Sequence, residues 1–362
     1  MSPLDLDQRP ILVFWETTRA CGLACRHCRA SAIAMPLPGE LTSWEAADFL
    51  DSLDDFGRPA PVLVATGGDV LSRADLDALL ARAVRRQVPL ALAPSVTPLL
   101  DEMRIASLRG AGVKIVSISL DGAEAATHEG IRGVDGHFER TLDAIARLRR
   151  HGVTVQVNTV VMRETVEELP RIARLVAESG AAIWELFFLV GVGRGEALEE
   201  LGRAENLAVC HFLYDASQYG VIVRTVEAPF FRRVVAEREA GRRSPRGGLY
   251  GRLRVGLRRE LGPPHDAPRA QTKGTRDGRG IVFVAHDGEI YPSGFLPLSL
   301  GNVKRDRLAD VYRYHPLLRR IRGADFEGRC GTCDYAELCG GSRARAYAVT
   351  GDPLASDPAC PF

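Results

Sequence analysis

Six short runs of β-branched and other apolar residues, at 11–15, 61–65, 90–94, 114–120, 154–161 and 182–189, alternate with longer amphipathic stretches at 43–55, 74–86, 101–110, 140–151 and 166–179. No other feature narrows the fold as much. Strands joined by helix-length crossovers pair in parallel, and a series of such units curls a sheet with its helices outside. Several of the amphipathic stretches close on a glycine, the residue that best tolerates the left-handed position after a helix. Six repeats predict an α/β fold, a partial (βα)6 barrel of the TIM type over residues 1–225. In parallel barrels the reactive groups stand on loops that follow the C-terminal ends of the strands, so chemistry is sought there.

From 230 to about 280 the character changes to Arg, Gly and Pro, and a linker or lid is predicted over 226–280. Runs at 281–285 and 289–291 flank Asp287 and Gly288, a hairpin signal, and a small cysteine-rich domain is predicted over 281–362. Lys plus Arg (47) nearly balances Asp plus Glu (46), so no global field attracts nucleic acid or an anionic membrane. The first residues lack a basic region followed by an apolar run, and no stretch approaches the length of a membrane span. A cytoplasmic protein is expected, with neither nucleic acid nor membrane as partner.

A long cytosolic chain has little use for disulfides and more often gathers thiols around metal. Of eight cysteines, three stand at Cys21, Cys25 and Cys28 and four at Cys330, Cys333, Cys339 and Cys360. Cys210 lies alone in an apolar-periodic segment and reads as a small buried hydrophobe. The C-x3-C-x2-C loop follows the first predicted strand and offers three thiolates. A cubane iron–sulfur cluster has four irons, so three ligands leave one iron open, whereas a closed structural zinc site needs a fourth ligand. The tail spacing, C-x2-C-x5-C-x20-C, is a full four-thiolate set that suits either zinc or a fully ligated iron–sulfur cluster.

With His27 just before its last cysteine, the Cys21–Cys28 segment resembles the signature of the radical S-adenosylmethionine (SAM) superfamily. Later strand ends extend the likeness. Gly67, Gly68 and Asp69 resemble the family's GGE motif, with Asp in place of Glu; Ser119 and Asp121 fall in an SLDG-like segment; residues 128–133 resemble its HDxxRG element, and Asn158 lies on the fifth predicted strand. Taken singly, the glycines also suit a tight turn, and Ser119 and Asp121 suit helix caps. The resemblance implies a [4Fe-4S] cluster on Cys21, Cys25 and Cys28 that binds SAM, with Gly67, Gly68, Asp69, Ser119, Asp121, Arg132 and Asn158 meeting SAM, Arg132 at its carboxylate.

The tail resembles the SPASM and twitch extensions of the same superfamily, which implies a second, auxiliary [4Fe-4S] cluster on Cys330, Cys333, Cys339 and Cys360. Ser293 and Ser342 stand where related chains often have Cys, so one auxiliary cluster is expected. Arg343, Arg345, Tyr347, Gly351, Asp352, Asp357 and Pro358 closely resemble the tails of radical SAM enzymes of alternative heme and heme d1 biosynthesis, which remove or trim propionate-type side chains of iron porphyrins. Gly193, Arg194 and Gly195 are similar to them as well.

That likeness implies an oxidoreductase or lyase that cleaves SAM reductively to a 5′-deoxyadenosyl radical and oxidatively modifies a tetrapyrrole. An electron donor such as flavodoxin or ferredoxin is expected. Arginine suits bidentate carboxylate binding, which makes Arg194, Arg343 and Arg345 candidates for the propionates, against a reading as packed structural residues. Related tails occur in peptide-modifying maturases, a second reading, although only about ten residues precede the first predicted strand, too few for a fused leader-peptide domain. A third reading is a non-catalytic iron–sulfur sensor, which would need neither the open-site triad nor the SAM-contact motifs.

Overall fold

The computed structural model describes residues 5–271 and 274–362. Seven strands, β1 (Leu12–Glu16), β2 (Val62–Thr66), β3 (Leu90–Leu92), β4 (Ile115–Ser119), β5 (Thr154–Val161), β6 (Ile183–Phe188) and β7 (Ile222–Val226), each lie parallel to the one before. β8 (Ile281–Val284) pairs in parallel with the other edge of β1, and β9 (Glu289–Tyr291) and β10 (Gly301–Asn302) extend the sheet antiparallel to ten strands. The crossovers hold α1 (Ser43–Ser52), α2 (Leu76–Arg85), α3 (Glu102–Gly110), α4 (Ala125–Arg132), α5 (His137–Arg150), α6 (Leu169–Ser179) and α7 (Arg203–Ala216). After β7 come α8 (Phe231–Glu239) and α9 (Gly248–Leu261), and the tail adds α10 (Leu308–Tyr314), α11 (Pro316–Arg322), α12 (Gly328–Gly331) and α13 (Arg343–Thr350). Among the described residues no helix is long and apolar enough to cross a membrane.

All six predicted strands form, as β1 to β6, and the parallel-dominated α/β fold is as expected. Two further parallel strands continue it, because β7 carries the alternating Ile222, Val223, Arg224, Thr225, Val226 and β8 docks its buried Val282 and Val284 beside β1. The stretch read as a linker or lid contains two packed helices. Its arginines share those helices with Phe231, Val234 and Val235 on α8 and with Tyr250, Leu253 and Leu257 on α9, all buried and spaced at one helical face. α9 lies on α6 and α7, and the Tyr250 hydroxyl donates to Asp215 on α7 at 2.7 Å.

Alternation along the strands decides what fills the barrel. Val13 and Trp15 on β1, Leu63 and Ala65 on β2, Val116 and Ile118 on β4, and Trp184 and Leu186 on β6 point outward and are buried beneath the helices. The intervening residues point inward, where Leu12, Val62, Ile115 and Ile183 give way along the strands to Thr66, Ser119, Asn158 and Glu185. The interior is therefore apolar at one end and polar at the C-terminal end. One register line, Ser119↔Asn158↔Glu185↔Arg224, crosses four strands.

The tail is tied back by Tyr312 on α10, whose hydroxyl donates to the Leu6 carbonyl at 2.6 Å and accepts the Gly280 N–H at 2.9 Å. Tyr312→Phe leaves that buried N–H without its partner, and a loss of roughly 1–3 kcal/mol is expected, read as a lower urea midpoint at unchanged slope. An unchanged midpoint would show that the phenol does not hold the tail to the barrel.

Candidate active site

The polar end of the barrel opens into a cavity of about 640 Å³. Cys21, Cys25 and Cys28 stand at its wall on the loop after β1, and Gly341 and Ser342 of the tail reach it from the far side. Gly67, Gly68, Ser119, Asp121, Arg132 and Asn158 also line it, so six of the seven residues expected to meet SAM face one space with the thiol loop. At Gly67 (φ +150°) an added Cβ would run into the Thr18 carbonyl, and at Gly68 into that of Ala20, so only glycine lets the strip pass this closely behind the thiol loop.

The seventh, Asp69, is fully buried behind the wall. It caps the short turn after β2 through the Leu71 N–H at 3.1 Å and accepts from Thr97 Oγ1 at 2.8 Å and the Ser95 N–H at 3.3 Å. Burial pushes its carboxyl up, against those hydrogen bonds. Asp69 thus ties the β2 end to the β3 end and places Ser95, whose hydroxyl meets Cys21 Sγ at 3.5 Å.

Asp121 has no exposed surface. Its carboxylate pairs with Arg132 and accepts the Val160 N–H at 2.8 Å, with His27 Nε2 at 3.6 Å. Burial pushes Asp121 up, but Arg132, His27, His128 and the Val160 N–H outweigh it and hold the group below the usual carboxylate range. Arg132 in turn reaches Cys25 Sγ at 3.5 Å, so both ends of this guanidinium already have protein partners, and its Nε is left unpaired. Burial pushes His27 down to about 4, opposed by Asp121, so it is neutral at physiological pH. The Asp121 N–H donates to His128 Nδ1 at 3.2 Å, which fixes the proton on Nε2 facing His137 Nδ1 at 2.8 Å.

The thiols themselves carry matching donors. The Leu23 N–H meets Cys21 Sγ at 3.4 Å and the Ala32 N–H meets Cys28 Sγ at 3.4 Å. In the tail the Tyr335 N–H meets Cys333 Sγ at 3.4 Å, the Asp357 N–H meets Cys330 Sγ at 3.4 Å, and the Gly341 N–H bonds Cys339. All eight cysteines are free. Amide donors aimed at sulfur, with cationic Arg132 and Arg343 beside Cys25 and Cys330, suit thiolates holding a cluster, so both donor sets fit an iron–sulfur group. Among the described residues no three His, Cys, Asp or Glu side chains are gathered tightly enough to close on one ion.

The three arginines read as propionate candidates are spent on the framework. Arg194 donates to the carbonyls of Cys25 at 2.8 Å and Ala32 at 2.9 Å, and Gly193 (φ +58°) lies so close to the Cys28 and Arg29 carbonyls that a Cβ would strike both, so this turn clamps the thiol loop. Arg345 pairs with Glu200 at 2.7 Å, and Arg343 donates to tail carbonyls. The sequence reading missed the cavity's own polar layer. Gln156 bridges Asn158 and Glu185 at 2.8 Å each, and Arg224 donates to Gln271 at 2.6 Å. Its signal was present, as charged or amide residues at inward positions of otherwise apolar strands.

Glu227 lines the cavity beside Ser342, in the left-handed region at φ +59°. It accepts the Ser342 hydroxyl, and burial with nearby Asp277 pushes it up to about 8, against Ser342 and Arg345 and with Asp357 adding. Between the ordinary glutamate value of 4.5 and about 8 the folded protein holds a proton that the unfolded chain has lost, so this group's contribution to stability falls as pH rises through that window. Glu227→Gln removes the dependence. Its thermal midpoint is expected to gain on the wild type between about pH 5 and about pH 8, and parallel profiles would contradict the assignment.

Comparison with known proteins agrees with this geometry. Residues 15–176 match the model of the radical SAM superfamily. The AdoMet-dependent heme synthases of Nitratidesulfovibrio vulgaris and Methanosarcina barkeri are each 34% identical to the chain, the first across 97% of this chain and 92% of the relative, the second across 99% and 98%. Streptococcus suis SuiB, solved with its precursor peptide SuiA, shares the fold at a TM-score of 0.71 and 16% identity, over 98% of this chain and 76% of that one. The chain with its three-thiol loop, glycine strip and Asp121–Arg132 pair belongs to the radical SAM superfamily, enzymes that work with SAM and a [4Fe-4S] cluster.

Proposed function

We propose that the protein oxidatively removes propionate carboxyl groups from an iron porphyrin of heme-type biosynthesis, with a second iron–sulfur cluster in the tail to take up the released electron. The observation that carries this reading is the single cavity that reaches from Cys21, Cys25 and Cys28 to the turn at Gly341 and Ser342. Two curated relatives across nearly the whole chain named as heme synthases support the substrate class. The wall supports it too. Phe187 and Phe295 pack 6.2 Å apart and Phe283 lies beneath Arg29 at 4.8 Å, which offers a macrocycle flat apolar faces beside a cation. Arg224, which lines the cavity and donates only its Nε to Gln271, takes the propionate role that Arg194, Arg343 and Arg345 do not.

A cluster held at the first thiol set would pass one electron to SAM, whose C5′–S bond would break to give methionine and a 5′-deoxyadenosyl radical able to take a hydrogen atom from substrate carbon. The chain's part is placement and exclusion of water. Asp121 fixes Arg132 so that a positive charge stands beside Cys25 and the cavity; Gly67 and Gly68 let a ligand approach the backbone; Ser119 and Asn158 offer polar contacts. In our reading Asp69 acts through the loops it joins. A propionate that has given up a hydrogen atom then loses CO2 and one electron and becomes a vinyl group. One electron enters at SAM and one leaves the substrate, so SAM is the net oxidant. We assign residues 1–225 to the SAM-cleaving barrel, 226–280 to the segment that joins it to the tail, and 281–362 to the auxiliary unit with its [4Fe-4S] cluster on Cys330, Cys333, Cys339 and Cys360, and we expect reduction by a flavodoxin or ferredoxin in the cytoplasm.

Cys25→Ala, purified without oxygen, is expected to make no 5′-deoxyadenosine, and wild-type formation would overturn the assignment of the first thiol set. Cys333→Ala should retain more SAM cleavage than substrate turnover. Equal loss of both would count against an electron-accepting tail.

A further inference from the structure

Four arginines are buried in the described residues, and they divide in two. Arg132 and Arg345 each meet carboxylates, as a buried cation ordinarily must. Arg276 and Arg343 do not. Arg276, in the segment before β8, donates to the carbonyls of Ala336 at 3.2 Å, Glu337 at 2.8 Å and Ile321 at 2.9 Å, and its Nε is unpaired. Arg343 donates to carbonyls and, at 3.6 Å, to Cys330 Sγ. A third, Arg232 on α8, is partly buried and meets the carbonyls of Leu338 at 3.1 Å, Cys339 at 3.4 Å and Thr275.

These three side chains come from three separate segments and converge on the loops that carry Cys330 and Cys339. Carbonyls satisfy their N–H groups, and among the described residues no carboxylate pairs directly with the three guanidiniums. Three guanidiniums thus stand around these loops with the two buried carboxylates Asp277 and Asp357 close by, a surrounding suited to an anion.

A cubane core on four thiolates is such an anion, and its negative charge grows by one on reduction. Fixed cations in a dry surrounding favour the more negative state. We propose that Arg232, Arg276 and Arg343 form a cationic cage around the tail thiols that raises the reduction potential of the centre held there and so fits it to accept the electron lost by the substrate radical. In that step the substrate side chain is oxidised by one electron, with loss of CO2, and the tail centre is reduced by one. The inference rests on the auxiliary-cluster reading above.

The test uses the full chain with Cys21, Cys25 and Cys28 replaced by Ala, so that iron and the electron paramagnetic resonance signal report the tail alone. Arg232 is the residue to change because it is the least buried of the three. Against that parent, Arg232→Gln is expected to titrate at a lower potential and Arg232→Lys to return towards the parent value. Loss of iron from the Gln variant with retention in the Lys variant would equally support the cage, because charge then decides whether the centre is held. The proposal is overturned if the Gln variant holds full iron at the parent's potential, or if both variants lose their iron. A parent chain that takes up no iron would instead refute the auxiliary-cluster reading on which the cage depends.

Discussion

Asp121 joins more of the site than any other side chain. It lies just after β4, accepts an N–H from β5, pairs with Arg132 at the end of α4 and faces His27 in the thiol loop, all without exposed surface. A buried ion pair of this kind is weak evidence for stability but strong evidence for geometry, because separating the partners leaves an uncompensated charge in a dry interior. Its consequence is local. Arg132 cannot swing away, so the cation beside Cys25 is fixed, while burial keeps His27 neutral. His128 and His137 line up behind it through the Asp121 N–H, which makes the HDxxRG-like element a bracing device.

The two thiol sets are built alike although one is on the barrel and one on the tail. Both place an amide N–H on sulfur two residues on, at Leu23 and at Tyr335. Both are gripped by an arginine that donates to loop carbonyls without meeting a carboxylate, Arg194 at the first and Arg232 at the second. Carbonyl donation of this kind holds each loop in place. The sheet makes the arrangement possible. β8 pairs with β1, so the strand that leads into the tail begins beside the strand that leads into the first thiol loop, and Arg29 links the two through Gly294 at 3.1 Å.

Much of this was legible in the sequence, for reasons that differ by element. β1 to β6 could be read because each carries a run of β-branched residues, and the cysteine spacings pointed to their chemistry because ligand number is countable. α4 was passed over, since Thr127 and Gly130 weaken its helical signal and its N-cap, Glu124, makes no side-chain cap bond. The pairing of β8 with β1 is invisible in a linear reading, as it depends on how far the barrel has turned. The lid reading of 226–280 weighed arginine content above the spacing of Phe231, Val234 and Val235, and Leu253 and Leu257. Residue type located Asp69, Arg132 and Arg194 at the site, but only the fold reveals that their polar atoms are already engaged. Glu185, Arg224 and Glu227 were missed because a motif search does not ask which way a strand residue points.

The most direct test of the account is the mass of an iron porphyrin incubated, without oxygen, with the reconstituted protein, SAM and dithionite. Conversion of a propionate to a vinyl group, a loss of CO2 and two hydrogen atoms from the side chain matched by one 5′-deoxyadenosine, is the predicted result. 5′-deoxyadenosine accumulating beside iron-coproporphyrin of unchanged mass would contradict the tetrapyrrole reading.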